Sequence, residues 1–371
     1  MTIFARRRQA LLKAMAEKPL EGLLVSSQEN RFYLSGFTGS NGHLIITPNR
    51  AALVTDGRYW SQVAEQCPDL ELVKLNLDEH KTLGRATAAW LRLQNLPSLG
   101  IEGRHMTVLD FEQLQKDAEG IALQPVDGLI EPLRQRKDRS ELDLLRRAAH
   151  TADRALRRTL EKFQAGMTEA DFCQELEHNL QACGARKPSF DTIVASGPNG
   201  AYPHAGVTDR TIETGQLITV DFGAYRDNYC SDMTRTIWLG GLDPFQQKVY
   251  QTVRKAHAAA IAAVRPGILA KELDAVARNI ITEAGWGEAF SHSLGHGVGL
   301  AVHELPYLRS TIETPLEVGM VITIEPGIYL AGQTGCRVED TVVVTDKGCE
   351  LITHFPYQEL NQDHPLDTVT G

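Results

Sequence analysis

Four carboxylates and one imidazole carry the densest chemistry in this sequence. Asp221 and Asp232 lie in QLITVDFGAYRDNYCSDMTRTIWL, Glu325 and Glu339 in MVITIEPGIYLAGQTGCRVEDTVVVTD, and His296 in SHSLGHGVGL. The first segment reads as two strands flanking a polar turn at Arg226-Asp227-Asn228. A turn centred between Arg226 and Asp227 sets Asp221 directly across from Asp232. Directly opposed residues have Cβ atoms ~4.5–5.5 Å apart, where like charges destabilise a sheet that already disfavours Asp. A divalent cation shared by the two carboxylates compensates, and oxygen ligation of this kind suits Mn or Mg and is accepted by Zn or Co. The second segment repeats the arrangement, with Glu325 in an apolar strand and Glu339 in the strand returning from a Gly332–Gly335 connection. Four ionised carboxylates in one cavity repel severely, whereas two divalent ions neutralise them and leave a site able to bind hydroxide. Two ions fit better than one.

Gly295, Gly297 and Gly299 are expected to let the backbone bend tightly around His296, which would add nitrogen to an oxygen-rich site. A glycine-flanked histidine taken alone is more often a structural turn than a ligand. The stretch fails the dinucleotide-binding fingerprint because Leu300 stands where glycine is needed, and His303-Glu304 fails the zincin pattern because Tyr307 replaces its second histidine. In combination the pieces weigh more: two acid-bearing hairpins and one histidine within a single region have no common structural explanation. Neither a GxSxG elbow nor a phosphate-binding P-loop competes with them.

The elements that must position these groups follow from periodicity. Leu142, Leu145, Ala149, Ala152, Leu156, Leu160 and Phe163 mark an amphipathic helix with Asp138 or Ser140 as its N-cap. A second helix starts at Thr168 with Asp171 as capping-box partner, and two more are expected over roughly 245–264 and 270–284. Together with hairpins at 216–239 and 319–345 they predict an α+β domain with mostly antiparallel strands. Upstream, GLLVSS, SGFTGSNGHLIIT, AALVTDGRYW and LELVKLN alternate apolar runs with turn residues, as in a small α/β domain. Pro125, Gly128 and Pro132 followed by RQRKD mark the connection, so the predicted domains are 1–130 and 131–371.

With 371 residues, 42% hydrophobic and 23% charged, the chain is long enough for two cores. A net charge of -9 argues against nucleic acid as a partner. The six cysteines show no CxxC spacing and suit a reducing compartment. The N-terminal Arg6-Arg7-Arg8 precedes only a short apolar stretch interrupted by Lys13 and Glu17. That predicts neither a signal peptide nor a membrane span, and a cytoplasmic protein is expected.

At VDFG, SDMTRT, GHGVG, VHELP, TIEPGIY and RVED the sequence resembles the metallopeptidases of the pita-bread fold, which include methionine aminopeptidase, Xaa-Pro aminopeptidase and Xaa-Pro dipeptidase (prolidase). GFTGS and DGRYW resemble the N-terminal domain shared by the proline-directed members and creatinase. The resemblance implies a pita-bread catalytic domain, an antiparallel sheet with flanking helices, preceded by a smaller α/β creatinase-like domain. It implies two divalent ions, manganese first with cobalt or zinc as substitutes. Asp221 would chelate one, Asp232 and Glu339 would bridge both, and His296 with Glu325 would complete the other. It further implies that a metal-activated hydroxide attacks the scissile amide while Glu325 passes a proton to the leaving nitrogen. His204 and His303 would contact substrate and stabilise the intermediate, and His292, Tyr329 and Arg337 would shape the proline pocket or hydrogen-bond to ligand groups. A homodimer is also implied.

Among substrates, the expectation is release of the N-terminal residue from peptides with proline second, that is, Xaa-Pro aminopeptidase activity. Prolidase is the first alternative, then a broader aminopeptidase, then a non-catalytic binding module on the same fold. The preference rests on Tyr307. In some prolidase-like relatives an arginine follows the HExP motif directly, suited to a dipeptide's free carboxylate, and here Arg309 comes two residues later.

Overall fold

The structure is a computed structural model and describes residues 2–18 and 20–368. The chain divides into two compact units between Arg134 and Gln135. The first opens with helices α1 (Ile3–Ala16) and α2 (Gln28–Ser35) around strand β1 (Leu23–Val25). Its other strands are β2 (His43–Ile46), β3 (Ala51–Thr55), β4 (Glu71–Lys74), β5 (Ser98–Glu102) and β6 (Ala122–Val126), ordered β4-β3-β2-β1-β5-β6. The β1–β2 and β2–β3 pairings are antiparallel, and the β3–β4, β1–β5 and β5–β6 pairings are parallel. Parallel neighbours need crossovers, supplied by α3 (Trp60–Gln66) before β4 and by α5 (Val108–Asp117) between β5 and β6, with α4 (Leu83–Leu93) preceding β5. Leu24, Ile45, Val54, Leu99 and Ile101 from the sheet meet Trp90, Leu91 and Leu114 from α4 and α5 in one core.

A short helix, α6 (Glu131–Gln135), runs across the division. In the second unit α7 (Arg139–Leu160) begins at Asp138, which forms a capping box with Glu141, and α8 (Glu169–Ala182) begins at Thr168 with Asp171 as partner. Phe163 lies beyond the end of α7 yet packs edge-on against Phe172 of α8. The strands that follow are β7 (Lys187–Pro188), β8 (Ile193–Ser196), β9 (Ile218–Phe222), β10 (Ala224–Arg226), β11 (Tyr229–Cys230) and β12 (Met233–Ile237). After helices α9 (Pro244–Ala263) and α10 (Ala270–Glu283) come β13 (Gly295–Gly297), β14 (Glu304–Leu308), β15 (Val321–Ile324), β16 (Gly327–Leu330), β17 (Thr334–Arg337), β18 (Asp340–Thr345) and β19 (Gly348–Leu351). They form sheets ordered β11-β10-β7, β12-β9-β8, β14-β13-β15-β18-β19 and β16-β17. All of these pairings are antiparallel, as expected of the α+β class.

Alternation along the strands decides which side chains reach the cleft. Val220 and Phe222 of β9, with Met233 and Ile237 of β12, pack against Leu156, Leu160, Leu176 and Leu180 of α7 and α8. Asp221 and Asp232 therefore project from the opposite face. In the same way Ile322 and Ile324 of β15 join Val253, Leu273 and Ile281 of α9 and α10, leaving Thr323 and Glu325 on the other side. Each helix pair buries one sheet face, and the acids line what remains.

The hairpin register corrects the expected one. The turn is centred between Asp227 and Asn228, both at positive φ (53° and 68°), so Arg226 pairs with Tyr229. Left-handed backbone at both central positions is the two-residue hairpin turn that favours Asn and Asp. Asp221 consequently faces Thr234 and not Asp232. Asp232 lies two residues along, a diagonal neighbour on the same face. In the second hairpin Gly335 belongs to β17, opposite Tyr329, so the connection is shorter than expected.

Candidate metal centre

The acids of the second hairpin sit where its own ladder opens. Ile324 pairs with Asp340 on one side of the break and Gly327 with Arg337 on the other. Between them the Glu325 amide donates to the Leu294 carbonyl and the Glu339 amide to the Thr234 carbonyl. Glu339 is thus delivered to the strand that bears Asp232. His296 arrives from β13, a strand and not the expected turn. A Cβ on Gly295 would fall 2.0 Å from the Thr323 carbonyl oxygen and one on Gly297 2.2 Å from that of Leu305. These glycines serve close strand packing, not bending.

Candidate ligand atoms of Asp232, His296 and Glu339 all lie within 4.8 Å of one another, and all three residues are buried. The His296 Nδ1–H donates to the Gly297 carbonyl at 3.1 Å, which turns the Nε2 lone pair toward Glu325 Oε1 at 3.3 Å and Asp232 Oδ2 at 3.6 Å. Acceptor faces acceptor, so either protons or cations must lie among them. Burial, with His303 adjoining, holds the imidazole down to about 3, which keeps it neutral. Burial pushes Glu325 up to about 8. Asp232 and Glu339 also stand well above the usual carboxylate range, through burial first and then the neighbouring acids. Asp221 Oδ1 is buried with no hydrogen-bond partner. Proton-hungry carboxyls, an orphaned oxygen and an aimed imidazole make a donor set that fits divalent cations.

Arg337 offsets part of this charge. Its Nη2 donates to Asp221 Oδ2 at 2.7 Å, Nε to Thr234 Oγ1 at 3.1 Å, and Nη1 to the Pro203 carbonyl at 3.1 Å and the Tyr329 hydroxyl at 2.8 Å. That hydroxyl donates in turn to His292 Nε2 at 2.8 Å, while His292 Nδ1–H donates to Ser293 O at 2.8 Å. His292 is held neutral, at about 4, by burial and then by Arg337.

Asp221, Asp232, His292, His296, Glu325, Arg337 and Glu339 line one cleft of about 1240 Å³, with Thr234 and the Tyr329 hydroxyl behind them through Arg337 and His292. His204 and His303 line the same cleft with exposed side chains, the His303 ring 4.4 Å from that of His296. The 3-10 turn Gly197–Ala201, just before His204, packs on β17, where a Cβ on Gly335 would fall 1.7 Å from the Gly200 carbonyl oxygen. Glu304, next to His303, forms a buried ion pair with Lys137 at 2.8 Å.

Three supporting residues are absent from the sequence reading. Thr234 Oγ1 donates to Glu339 Oε2 at 2.7 Å and Thr323 Oγ1 to Glu325 Oε1 at 3.3 Å. Each threonine stands two residues from an acid on one strand face, a spacing that could have flagged it. Arg278 of α10, paired with Asp274 at 2.7 Å, donates to the Phe290 and His292 carbonyls and fixes the segment entering β13. Arg309 is exposed at the cleft, its guanidinium 4.9 Å from the centre of the Tyr307 ring. A separate group, Glu102, His105 and Glu131, also has metal-ligand spacing. There the Asn30 amide already donates to both carboxylates, at 2.6 and 2.8 Å.

Comparison with known proteins follows the two units. Residues 143–346 match metallopeptidase family M24, and residues 7–136 match the creatinase/prolidase N-terminal domain. An Xaa-Pro dipeptidase of Pyrococcus horikoshii is 36% identical over 95% of this chain and 98% of that protein. A solved Xaa-Pro dipeptidase from Bacillus anthracis superposes with a TM-score of 0.92 at 36% identity, over 96% of this chain and 99% of that one. An X-Pro aminopeptidase from Thermotoga maritima superposes with a TM-score of 0.86 at 32% identity, over 93% and 99%.

Proposed function

Given that this chain belongs to metallopeptidase family M24, we propose that it is an Xaa-Pro dipeptidase, a prolidase that splits two-residue peptides ending in proline. The observation that carries the metal-dependent part is the meeting of acceptors at His296 Nε2, Glu325 and Asp232, which cations would satisfy. The dipeptidase part replaces the aminopeptidase expectation. Dipeptidases at 36% identity favour the change. The reason for the earlier preference also weakens, because Arg309 lies over the Tyr307 ring and lines the cleft, supplying from position 309 the cation missing at 307. Buried Arg337 is already committed to Asp221, Thr234, Pro203 and Tyr329.

In this reading Asp221 would hold one divalent ion, Asp232 and Glu339 would serve both, and His296 with Glu325 would hold the second. Manganese is the first candidate, with cobalt or zinc as substitutes. Such a pair supplies a nucleophilic water at neutral pH and an electrophile for the scissile carbonyl. Thr234 and Arg337 keep Glu339 and Asp221 aimed. Glu325, which accepts a long bond from Thr323 Oγ1 at 3.3 Å, would take the water's proton and hand it to the proline nitrogen, which cannot leave as an anion. His204 and His303 at the cleft wall donate to the substrate carbonyl oxygen as it gains charge. Arg309 takes the terminal carboxylate.

The reading includes a homodimer, for which a fully active monomer by light scattering would be a contradiction, and a cytoplasmic location. Among the described residues no helix is long and apolar enough to cross a membrane. The test of substrate class is kcat/KM on Xaa-Pro against Xaa-Pro-Yaa with the same first residue. Dipeptide cleavage with inert longer peptides is expected, and Arg309→Ala should raise KM for the dipeptide. Ready cleavage of the tripeptide would return the assignment to aminopeptidase.

A further inference from the structure

Asp232 and Glu339 immediately precede strands of different sheets, β12 and β18. Something must hold those two backbones at a fixed separation, because a shared metal pair tolerates only about 0.5 Å of error in its ligands. The main-chain bond from Glu339 N to Thr234 O, at 3.1 Å, is one tie. Another comes from behind. Arg235 follows Thr234 on β12, so its side chain leaves from the face opposite Asp232 and Thr234. Its Nη1 donates to both the Thr234 carbonyl, at 3.0 Å, and the Glu339 carbonyl, at 2.6 Å.

A single nitrogen therefore bridges the two strands beside both acids. The rest of the guanidinium is fixed so that it can. Nη2 pairs with Asp340 Oδ1 at 2.7 Å, and Nε and Nη2 donate to the Phe355 carbonyl at 2.8 and 2.6 Å. Asp340 is itself held by Thr353 Oγ1 at 2.7 Å and by the Tyr357 hydroxyl, with His257 Nε2 of α9 lying 3.2 Å away. The Arg235 and Asp340 side chains are 3% and 0% exposed, so water cannot substitute for these bonds.

We propose that Arg235, oriented by Asp340 and Tyr357, is a positioning residue that sets the spacing of Asp232 and Glu339 and so the affinity of the metal pair. The inference rests on the metal-centre reading. Lysine at 235 would keep a charge opposite Asp340 but lose the fork, since one ammonium cannot reach both carbonyls, Asp340 and Phe355 together. Outer contacts of this kind typically change metal affinity by about 10–100-fold.

The experiment titrates Co²⁺ alone into chelator-stripped full-length protein, following visible absorption and heat. Wild type is expected to bind two ions. Arg235→Lys should weaken at least one site by about 10–100-fold and lower kcat more than it changes KM. Tyr357→Phe, a milder change, should weaken the same site to a smaller extent. If Arg235→Lys binds both ions with wild-type affinity, the proposal is overturned even when its Tm falls, because a merely structural role predicts that pattern. Should Arg235→Lys not fold, unchanged affinity in Tyr357→Phe overturns it. A wild-type protein that binds no Co²⁺ would overturn the metal-centre reading and this inference with it.

Discussion

Among individual residues, Asp221 and Glu325 stood out because each places a charge where an apolar strand should continue, whereas His296, expected in a glycine-lined turn, became a candidate only in combination with the acids. Thr234 and Thr323 did not stand out, since threonine is at home in strands and gives no such contrast. Replacing Glu339 or Asp232 by Ala should leave the protein folded, lower bound metal per chain by elemental analysis, and reduce kcat by at least about 10³-fold. A variant with two ions and normal turnover would contradict the bridging roles. The raised carboxyls also fix a pH dependence. Glu325 has an ordinary value of 4.5 and stands at about 8 in the folded, metal-free protein. Across that window the folded state keeps a proton that the unfolded chain has released. The stability it contributes is complete below the lower value and lost as pH rises through the upper one, and Asp232 and Glu339 act in the same direction. Chelated protein should therefore lose roughly 5–10 °C in Tm between pH 6 and pH 9, and excess Mn²⁺ should remove most of that slope. A flat or rising Tm in the chelated protein would rule out the carboxyl assignment.

Elements were legible to different depths. The four helices of the second unit follow from apolar periodicity and capping residues: the expected capping box at Thr168 and Asp171 forms, and Asp138, one of two expected N-caps, caps α7 in a box with Glu141 that was not anticipated. The hairpin carrying Asp221 and Asp232 was recognisable, but its register was not. Three polar residues in a row, Arg226-Asp227-Asn228, offer two turn centres, and only the backbone shows that positive φ falls on the last two. The slip matters little for the site, because moving the turn centre by one residue shifts strand pairing by two and returns the acids to one face. The turn gives a direct measurement. Asn228→Gly should be neutral or stabilising, while Asn228→Val, forced left-handed at a β-branched residue, should cost about 1–2 kcal/mol in denaturant unfolding. Equal stability of the two variants would mean that the turn is of another type.

Over the whole molecule, motifs spread along the second unit made its fold readable. The first unit was sketched from strand runs alone, and its helices, among them the 14-residue α1 and the amphipathic α4, were not anticipated. Stability of the catalytic unit also depends on a pair that no motif marks. Lys137 and Glu304 are 1% and 8% exposed, and Glu304 adjoins His303 in the cleft. Removing one partner of a buried pair strands a charge, so Lys137→Met should cost about 3–5 kcal/mol, and adding Glu304→Leu should recover much of it. A single variant as stable as wild type would show that water reaches the pair.

The position of Lys137 has a practical corollary for dissecting the chain. The stretch shared with family M24 begins at residue 143, and a fragment cut there would look complete by sequence. It would lack the lysine that neutralises Glu304, along with Asp138, the cap of α7. Excision at the division after Arg134 keeps both. The usable start of an isolated catalytic fragment is thus set by one ammonium group upstream of every motif quoted from the second unit.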